Sequence, residues 1–534
     1  MGLTVVLGLV LAALIVYMDY NDKKMGLYNI FYVLYSYYEP AHLLVVLLTL
    51  PVFYLGLTRD SLALPGGGTL ERILGARWTL PLLMVLVFLG CGLGRLFVYE
   101  ETLFSQDEFA MDFQAQLFGQ GMLKAPVPED WQPFASAMAP IFITYEEATG
   151  SWMASYLPVY AVMLAAFQAV SLGAWLNPVL AALTLWALLG LLRTIWPERP
   201  QDALLVTLLL AVSPQFLVTA MSGYTMTAHL LFNLLWLRLY LENRRWGLLA
   251  LPWVGFLAMG LHAFVPHALF AIPFLLRMVA DRRWGLSAYV ASVYLMASAI
   301  WIVFLQHVNP TIGAVTADRF WFPGWQQFVS QGMSLALLMS WQALPLMVLA
   351  AMGLICRPKG NALLFDVMWS CLFTFGLYFF FLHDQGHGWG NRYFHPALGN
   401  LAIFAMVGWR ALLEKTPRPA ALGFVTGGLL LALLVQVPLR LYQVQDVMKP
   451  FMRAQEFFAT IEQPVVLLPT EAIWYGQDLV RNVPFFDQDP KIFFLSRVSQ
   501  AKLEKLERHG PIRLVTPKEL EALGLTTTRW VVQE

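Results

Sequence analysis

The chain has 534 residues, 58% of them hydrophobic and 13% charged, with a formal net charge of zero. A soluble domain carries roughly 45–50% apolar and about 25% charged residues, so this composition describes a polytopic membrane protein. Zero net charge gives no electrostatic hold on a polyanion and excludes nucleic acid as the expected partner. The three cysteines, Cys91, Cys356 and Cys371, sit in or beside apolar runs without metal spacing.

Residues 2–17 form an apolar run long enough for a short span, and without a basic flank or a small-x-small cleavage site they read as an uncleaved helix. Residues 27–38 are aromatic and suit an interface, and 41–57 form a second span. The connection 59–77 carries Arg59, Arg72, Arg77 and a Gly66-Gly67-Gly68 turn. Lacking a following Lys-Ser/Thr, those glycines read as linker rather than phosphate loop. Residues 78–98 are the third span, and 99–155 then form a polar loop. It holds Glu100, Glu101, Asp107, Glu108, Asp112, Glu129, Asp130, Glu146 and Glu147 against one basic residue, Lys124. Carboxylates at the lip of a membrane helix are costly to desolvate, so Asp107, Glu108 and Asp112 need a partner, a metal or a task. On a helix, Glu108 and Asp112 share one face.

Downstream, basic clusters recur at Arg193/Arg199, Arg238/Arg244/Arg245, Arg277/Arg282/Arg283, Arg357/Lys359 and Arg410/Lys415/Arg418, and the positive-inside rule places each on the cytoplasmic side. The apolar runs between them pair off as 203–220 with 224–241, 246–261 with 264–278, 285–305 with 333–355, and 363–382 with 397–409. The turns at 221–223, 262, 306–332 and 383–396 are therefore expected to share an extracytoplasmic face with the acidic loop. Run 420–439 crosses outward again, for about thirteen crossings in all. One conflict is informative. Two runs, 156–172 and 175–195, separate the acidic loop from Arg193, and two crossings would put Arg193 outside. The first of them, entered through Leu157-Pro158, is therefore expected to dip into the outer interface without spanning, which requires a protein-lined or watery cavity beside the acidic loop.

In the tail, 464–468, 491–495 and 512–515 read as short buried strands, with helices at 499–509 and 517–523. The expected organisation is 1–77, two leading helices and a linker; 78–439, a transmembrane part bearing the outer loop 99–155; and 440–534, a small α/β domain on the outer face that covers the cavity or docks an acceptor without doing chemistry.

A second polar cluster runs from His383 to His395, with Asp384, His387, Trp389, Arg392 and Tyr393 among glycines that let backbone approach a ligand. Arg392 can clamp a phosphate bidentately, while a zinc site on His383, His387 and His395 has no standard spacing. Trp389 and Tyr393 would equally anchor a purely structural interfacial loop. Thr225, Thr227 and His229 open a span and are explained as well by helix-start hydrogen bonding as by ligand contact. His262, His267, Asp318 and Arg319 are expected to be ordinary packed or solvated residues.

In order and sidedness these motifs resemble the GT-C superfamily of membrane glycosyltransferases, which includes protein O-mannosyltransferases, lipid A aminoarabinose transferases and oligosaccharyltransferase catalytic subunits. The resemblance rests on Gln106-Asp107-Glu108, on Tyr156-Leu-Pro-Val-Tyr160, on Ser213-Pro214 through Ser222-Gly223-Tyr224, and on Gly388-Trp-Gly-Asn-Arg-Tyr393, and it covers residues 78–439. The two leading helices, the single proline at the helix entry and the lack of a preceding Lys depart from the pattern. The resemblance implies an all-α polytopic fold with the small α/β unit appended. It also implies an enzyme of a bacterial inner membrane, working among membrane lipids on the extracytoplasmic face. Such an enzyme transfers a hexosyl or pentosyl group from a polyprenyl-phosphate donor to a glycan, lipid or protein acceptor. Asp107 would be the base, with Glu108 orienting it or holding a divalent cation, the one cofactor implied. Arg392, supported by His387 and His395, would take the donor phosphate, and Asp112, Tyr156, Tyr224, His229, Trp389 and Tyr393 would surround the substrate. The rival class is a polytopic transporter or lipid flippase, which concentrates ionisable groups near the midplane on broken helices. A third reading is a non-catalytic assembly subunit of the same fold.

Overall fold

Apolar runs make helices, and proline and glycine decide where those helices stop or bend. The computed structural model describes residues 67–308, 324–380 and 388–526, with Ala13, Tyr38, Glu39, His42, Leu44, Val45, Leu48 and Thr49 from the leading segment. Among the described residues, six helices are long and apolar enough to cross a membrane: Thr79–Phe97, Gly173–Ile195, Trp284–His307, Ala362–Phe380, His395–Leu413 and Arg418–Ala459. Two bent pairs raise the number to eight, and the chain is a multi-pass membrane protein. The expected total is higher. The two leading runs lie largely outside the described residues, and the helices Met226–Glu242, Arg245–Met259 and Val265–Ala280 have only 17, 15 and 16 residues. A perpendicular span needs about 20.

The elements with described ranges start with α1 (Gly67–Gly75) and α2 (Thr79–Phe97), then α3 (Gln106–Gly119). The stretch 99–155 is not the open loop that its polarity suggests. Besides α3 it builds an antiparallel sheet of β1 (Ala125–Pro126), β2 (Ile143–Glu146) and β3 (Ser151–Ala154) in the order β1-β3-β2. Next comes α4 (Val159–Gln168), whose 10 residues extend about 15 Å, half the hydrocarbon core of a bilayer. Helix α5 (Leu176–Ile195) follows.

Two runs read as continuous spans are broken. Residues 203–220 divide into α6 (Pro200–Ala211) and α7 (Pro214–Met221), bent by 58°. Pro214 has no N–H to continue the ladder, and its ring disfavours helical backbone at Ser213. After α8 (Met226–Glu242), α9 (Arg245–Met259), α10 (Val265–Ala280) and α11 (Trp284–Val308), the run 333–355 divides in the same way. Its parts belong to α12 (Trp325–Ser340) and α13 (Leu344–Cys356), with Pro345 in the first turn of α13 and a bend of 117°. Beyond α14 (Ala362–Phe380), α15 (Leu398–Leu413) lies so close to α13 that a Cβ on Gly353 would stand 1.8 Å from the Phe404 carbonyl oxygen. Helices α16 (Arg418–Leu431) and α17 (Val437–Ala459) are joined through a π-helical turn, Ala432–Gln436. The helix thus continues 20 residues past the boundary expected at Leu439, since α17 ends at Ala459.

The C-terminal unit has β4 (Val465–Leu468), β5 (Lys491–Phe494), α18 (Gln500–Leu506), β6 (Ile512–Leu514) and α19 (Pro517–Ala522), with a parallel sheet in the order β5-β4-β6. It does not stand alone. Val465, Leu467, Phe493 and Leu506 share one buried cluster with Phe113, Val127, Phe134 and Trp152 of the stretch after α2. Trp152 is fully buried, stacks on Phe486 at 4.8 Å, and its Nε1 donates to the Pro484 carbonyl at 3.0 Å. Trp152→Ala should cost about 3–5 kcal/mol of stability. Limited proteolysis of the purified protein should then cut both 99–155 and 461–526 faster while sparing the helical bundle.

Candidate active site

Helix α3 starts where Ser105, in extended backbone, forms a capping box with Glu108. Glu108 is 1% exposed, and both its carboxylate oxygens are occupied. Oε2 accepts from the Phe104 and Ser105 N–H groups at 2.7 and 3.1 Å, and Oε1 accepts from Gly223 N–H at 2.5 Å. Burial pushes its pKa up, while the Arg95 charge and the backbone donors pull it back without cancelling the rise. Glu108 thereby ties α3 to the turn between α7 and α8. Asn177 holds that turn from the other side, donating through Nδ2 to the Ser222 and Tyr224 carbonyls, each at 2.8 Å.

Asp107 faces the other way. Its Oδ2 accepts from Arg392 Nη1 at 2.8 Å and its Oδ1 accepts from the Tyr156 hydroxyl. The Asp107 side chain is 24% exposed and that of Arg392 7%. Burial pushes Asp107 up, but the Arg392 charge and the Tyr156 and Arg392 hydrogen bonds outweigh it and hold the carboxyl below its ordinary range. Burial beside Asp107 raises the Tyr156 phenol well above its usual value, so it stays a donor. The Arg392 guanidinium also lies 5.2 Å from the ring centres of both Tyr224 and Tyr393, and Tyr393 stacks on Tyr378 at 4.4 Å.

The loop carrying Arg392 is held by the two helix breaks. Gln215, the second residue of α7, donates through Nε2 to the Asn391 carbonyl at 2.7 Å and receives Gln342 Nε2 on Oε1 at 2.8 Å. Asn391 Nδ2 donates to the Ser334 carbonyl at 3.0 Å. Gly390 has φ +66°, and a Cβ there would stand 2.5 Å from Gln215 Oε1, so the position requires glycine on both counts.

The structure thus brings Asp107, Tyr156, Tyr224, Arg392 and Tyr393 together. His229 joins at one remove: its Nε2 lies 2.9 Å from His262 Nδ1, and the His262 ring meets Tyr156 edge-on at 5.7 Å. Burial first, then the Arg392 charge, bring the His262 pKa down to about 4 against the opposing pull of Asp107. Asp112 lies further along α3, where Gln116 of the same helix and Gln168 of α4 donate to its two oxygens at 2.7 Å each, and the Gln168 bond fastens α3 to α4. Trp389 is buried between Phe104 and Trp341, at 5.6 and 6.0 Å. His395 is fully buried and meets Arg392 through a backbone bond of 3.2 Å to its carbonyl. His387 lies outside the described residues. Among the described residues no group of three or more His, Cys, Asp or Glu side chains is arranged to hold a metal ion. Sequence reasoning passed over Gln215 and set His262 aside as an ordinary packed residue. Gln215 follows Ser213-Pro214, and a polar residue just after a helix-breaking proline is the signal that would have found it. An isolated histidine such as His262 carries no comparable signal.

No family model matches the chain, and no curated protein matches it. Among solved structures it is similar to ArnT from Cupriavidus metallidurans bound to undecaprenyl phosphate, with 15% identity, a TM-score of 0.49, and coverage of 82% of this chain and 90% of that one. It is similar also to the apo state of the same protein, with 15% identity, a TM-score of 0.48, and coverage of 75% and 84%. Likeness at this level leaves the functional reading to the residues of the site.

Because the folded pKa of Asp107 is depressed, its ion pair stabilises the protein above the unfolded value, about 3.9, and that contribution is lost as pH falls through the folded value. Asp107→Asn should lower thermal stability at neutral pH, where it leaves Arg392 buried without its charge partner. The gap from the parent should close in acid below about pH 4. Melting curves of both proteins from pH 7 downward check this.

Proposed function

We propose that the chain is a glycosyltransferase that moves a sugar from a polyprenyl-phosphate-linked donor to a hydroxyl-bearing acceptor on the extracytoplasmic side of the membrane. The observation that carries this reading is the Asp107–Arg392 pair, at 2.8 Å, with Tyr156 on the free carboxylate oxygen and tyrosine rings around the guanidinium. It joins the two groups the reaction needs, an ionised carboxylate to take a proton and a fixed cation for a phosphate leaving group. The short α4 beside it is a suitable wall for a lipid chain entering from the bilayer.

In this reading the donor phosphate engages Arg392 and loosens its hold on Asp107, which raises the basicity of the carboxylate at that moment. The acceptor oxygen attacks the anomeric carbon, the bond from that carbon to the phosphate oxygen breaks, and the proton passes to Asp107. The polyprenyl phosphate leaves against Arg392, and a single displacement inverts the anomeric centre. Glu108 serves the site as a brace, since three backbone N–H groups hold it between α3 and the turn at Gly223, away from Arg392, and Asp112 as the tie to α4. Tyr156, Tyr224 and Tyr393 line the substrate, and His262 with His229 supports Tyr156 from behind.

One observation favours the transporter reading: two bent helix pairs meet at the Arg392 loop, and broken helices commonly build transport sites. Sugar transfer decides between them. Purified protein in liposomes should move radiolabelled sugar from a polyprenyl-linked lipid extract to acceptors in a membrane fraction. Asp107→Asn should reduce that transfer by about 10²–10⁴-fold at unchanged expression. Arg392→Ala should reduce it mainly through weaker donor use. Glu108→Gln should lose stability before it loses turnover, and a chelator should leave its behaviour unchanged. Transfer by Asp107→Asn at the parental rate would sink the proposal, and flux of labelled lipid across the bilayer without any transfer would favour the rival.

A further inference from the structure

The first turn of α3 is held from a part of the chain 372 residues away. Gln106 N–H, which has no partner within the helix, donates to Asp478 Oδ1 at 3.1 Å. Gln106 Nε2 donates to the Gln477 and Val480 carbonyls at 3.1 and 2.8 Å. Arg481 closes the arrangement, donating through Nη2 to the Phe104 carbonyl at 3.0 Å and through Nε to the Asp478 carbonyl at 2.7 Å. Asp478 and Gln106 are only 4% and 2% exposed, so these bonds are made out of water. Asp107 stands between Gln106, fixed by the C-terminal unit, and Glu108, fixed by Gly223. Its reach to Arg392 is therefore set from both sides.

We propose that the 3-10 turn Gly476–Leu479 with Arg481 is a positioning clamp for Asp107, and that Asp478 is its principal acceptor. The C-terminal unit then does more than cover a cavity: it sets where the reacting carboxylate stands. The chemistry demands this, because a shift of about 1 Å in a reacting group costs on the order of 10²-fold in rate. A carboxylate at the start of α3 also suits the helix dipole. The proposal rests on the reading of Asp107 as the base, and two independent measurements separate the failure of one from the failure of the other.

The full-length protein in detergent is compared with Asp478→Ala, which removes the acceptor, and Asp478→Asn, which keeps an acceptor oxygen. Hydrogen exchange is followed in peptides covering residues 104–112. Asp478→Ala should speed exchange of the first-turn amides roughly 5- to 10-fold, and Asp478→Asn should leave it near the parental rate. Sugar transfer from the polyprenyl-linked lipid extract should show kcat lowered about 10- to 100-fold in Asp478→Ala with KM for the lipid within about twofold, and most of kcat retained in Asp478→Asn. Unchanged exchange in Asp478→Ala overturns the clamp, as does an Asn variant that fails as badly as Ala. Faster exchange with undiminished turnover overturns its positioning role. If the parent itself transfers no sugar, the reading of Asp107 fails, and the exchange measurement still decides whether the clamp exists.

Discussion

A buried guanidinium needs a carboxylate partner, and Arg392 finds one in the half-buried Asp107 across 285 residues of chain. Removing two charges from water costs several kcal/mol per ion unless geometry and further hydrogen bonds repay it. Much of the polar architecture around the pair serves that requirement. Tyr156 takes the second carboxylate oxygen, the rings of Tyr224 and Tyr393 face the cation, Glu108 fixes the helix that bears Asp107, and Gln215 fixes the loop that bears Arg392.

The two broken helices follow from the same constraint. A continuous helix satisfies its own backbone and offers nothing to a neighbour, whereas a break leaves free donors and acceptors that must be met locally. At the first break Gln215 N–H donates to the Trp341 carbonyl at 2.9 Å, and at the second Ala343 N–H donates to Ser213 Oγ at 3.1 Å, so each break satisfies the other. The second is braced further by a buried ion pair. Arg440 Nη2 donates to Glu39 Oε2 at 2.9 Å, and Trp341 Nε1 donates to Glu39 Oε1 at 3.0 Å. The Arg440 guanidinium lies 4.3 Å from the centre of the Trp341 ring. Glu39 is thus linked to the Arg392 loop through Trp341, Gln342 and Gln215.

The stretch after α2 and the C-terminal unit are both small, and each buries apolar surface against the other. Two small sheets and the short helices around them become one body because Trp152, Phe134 and Phe113 pack against Val465, Leu467 and Phe493. That merger is what allows Asp478 to reach the first turn of α3. Asp107 therefore stands between Gln106, held by Asp478 of the C-terminal unit, and Glu108, held by Gly223 of the bundle.

What the sequence determined by itself was local. Hydropathy located the helices, the short apolar runs located β4, β5 and β6 to within a residue or so, and composition drew attention to Asp107 and Arg392. The conflict over Arg193 raised the expectation that 156–172 does not span, and the helix found there, α4, has 10 residues. Those signals survive in sequence because periodicity, chain length and the cost of desolvating a charge act on neighbouring residues. That Asp107 and Glu108 have different partners was not legible. They are adjacent carboxylates of similar chemistry, and only the direction of each Cβ from α3 sends one to Arg392 and the other to three backbone N–H groups. Pro214 and Pro345 mark the two bends in the sequence, but the way the bends satisfy each other, the folding of 99–155 onto the C-terminal unit and the hydrogen bonds of Gln215 were likewise decided by tertiary structure. Each depends on which distant partner fills a particular donor or acceptor, and the choice of partner is made by packing in three dimensions, of which a linear pattern of apolar and polar residues keeps no record.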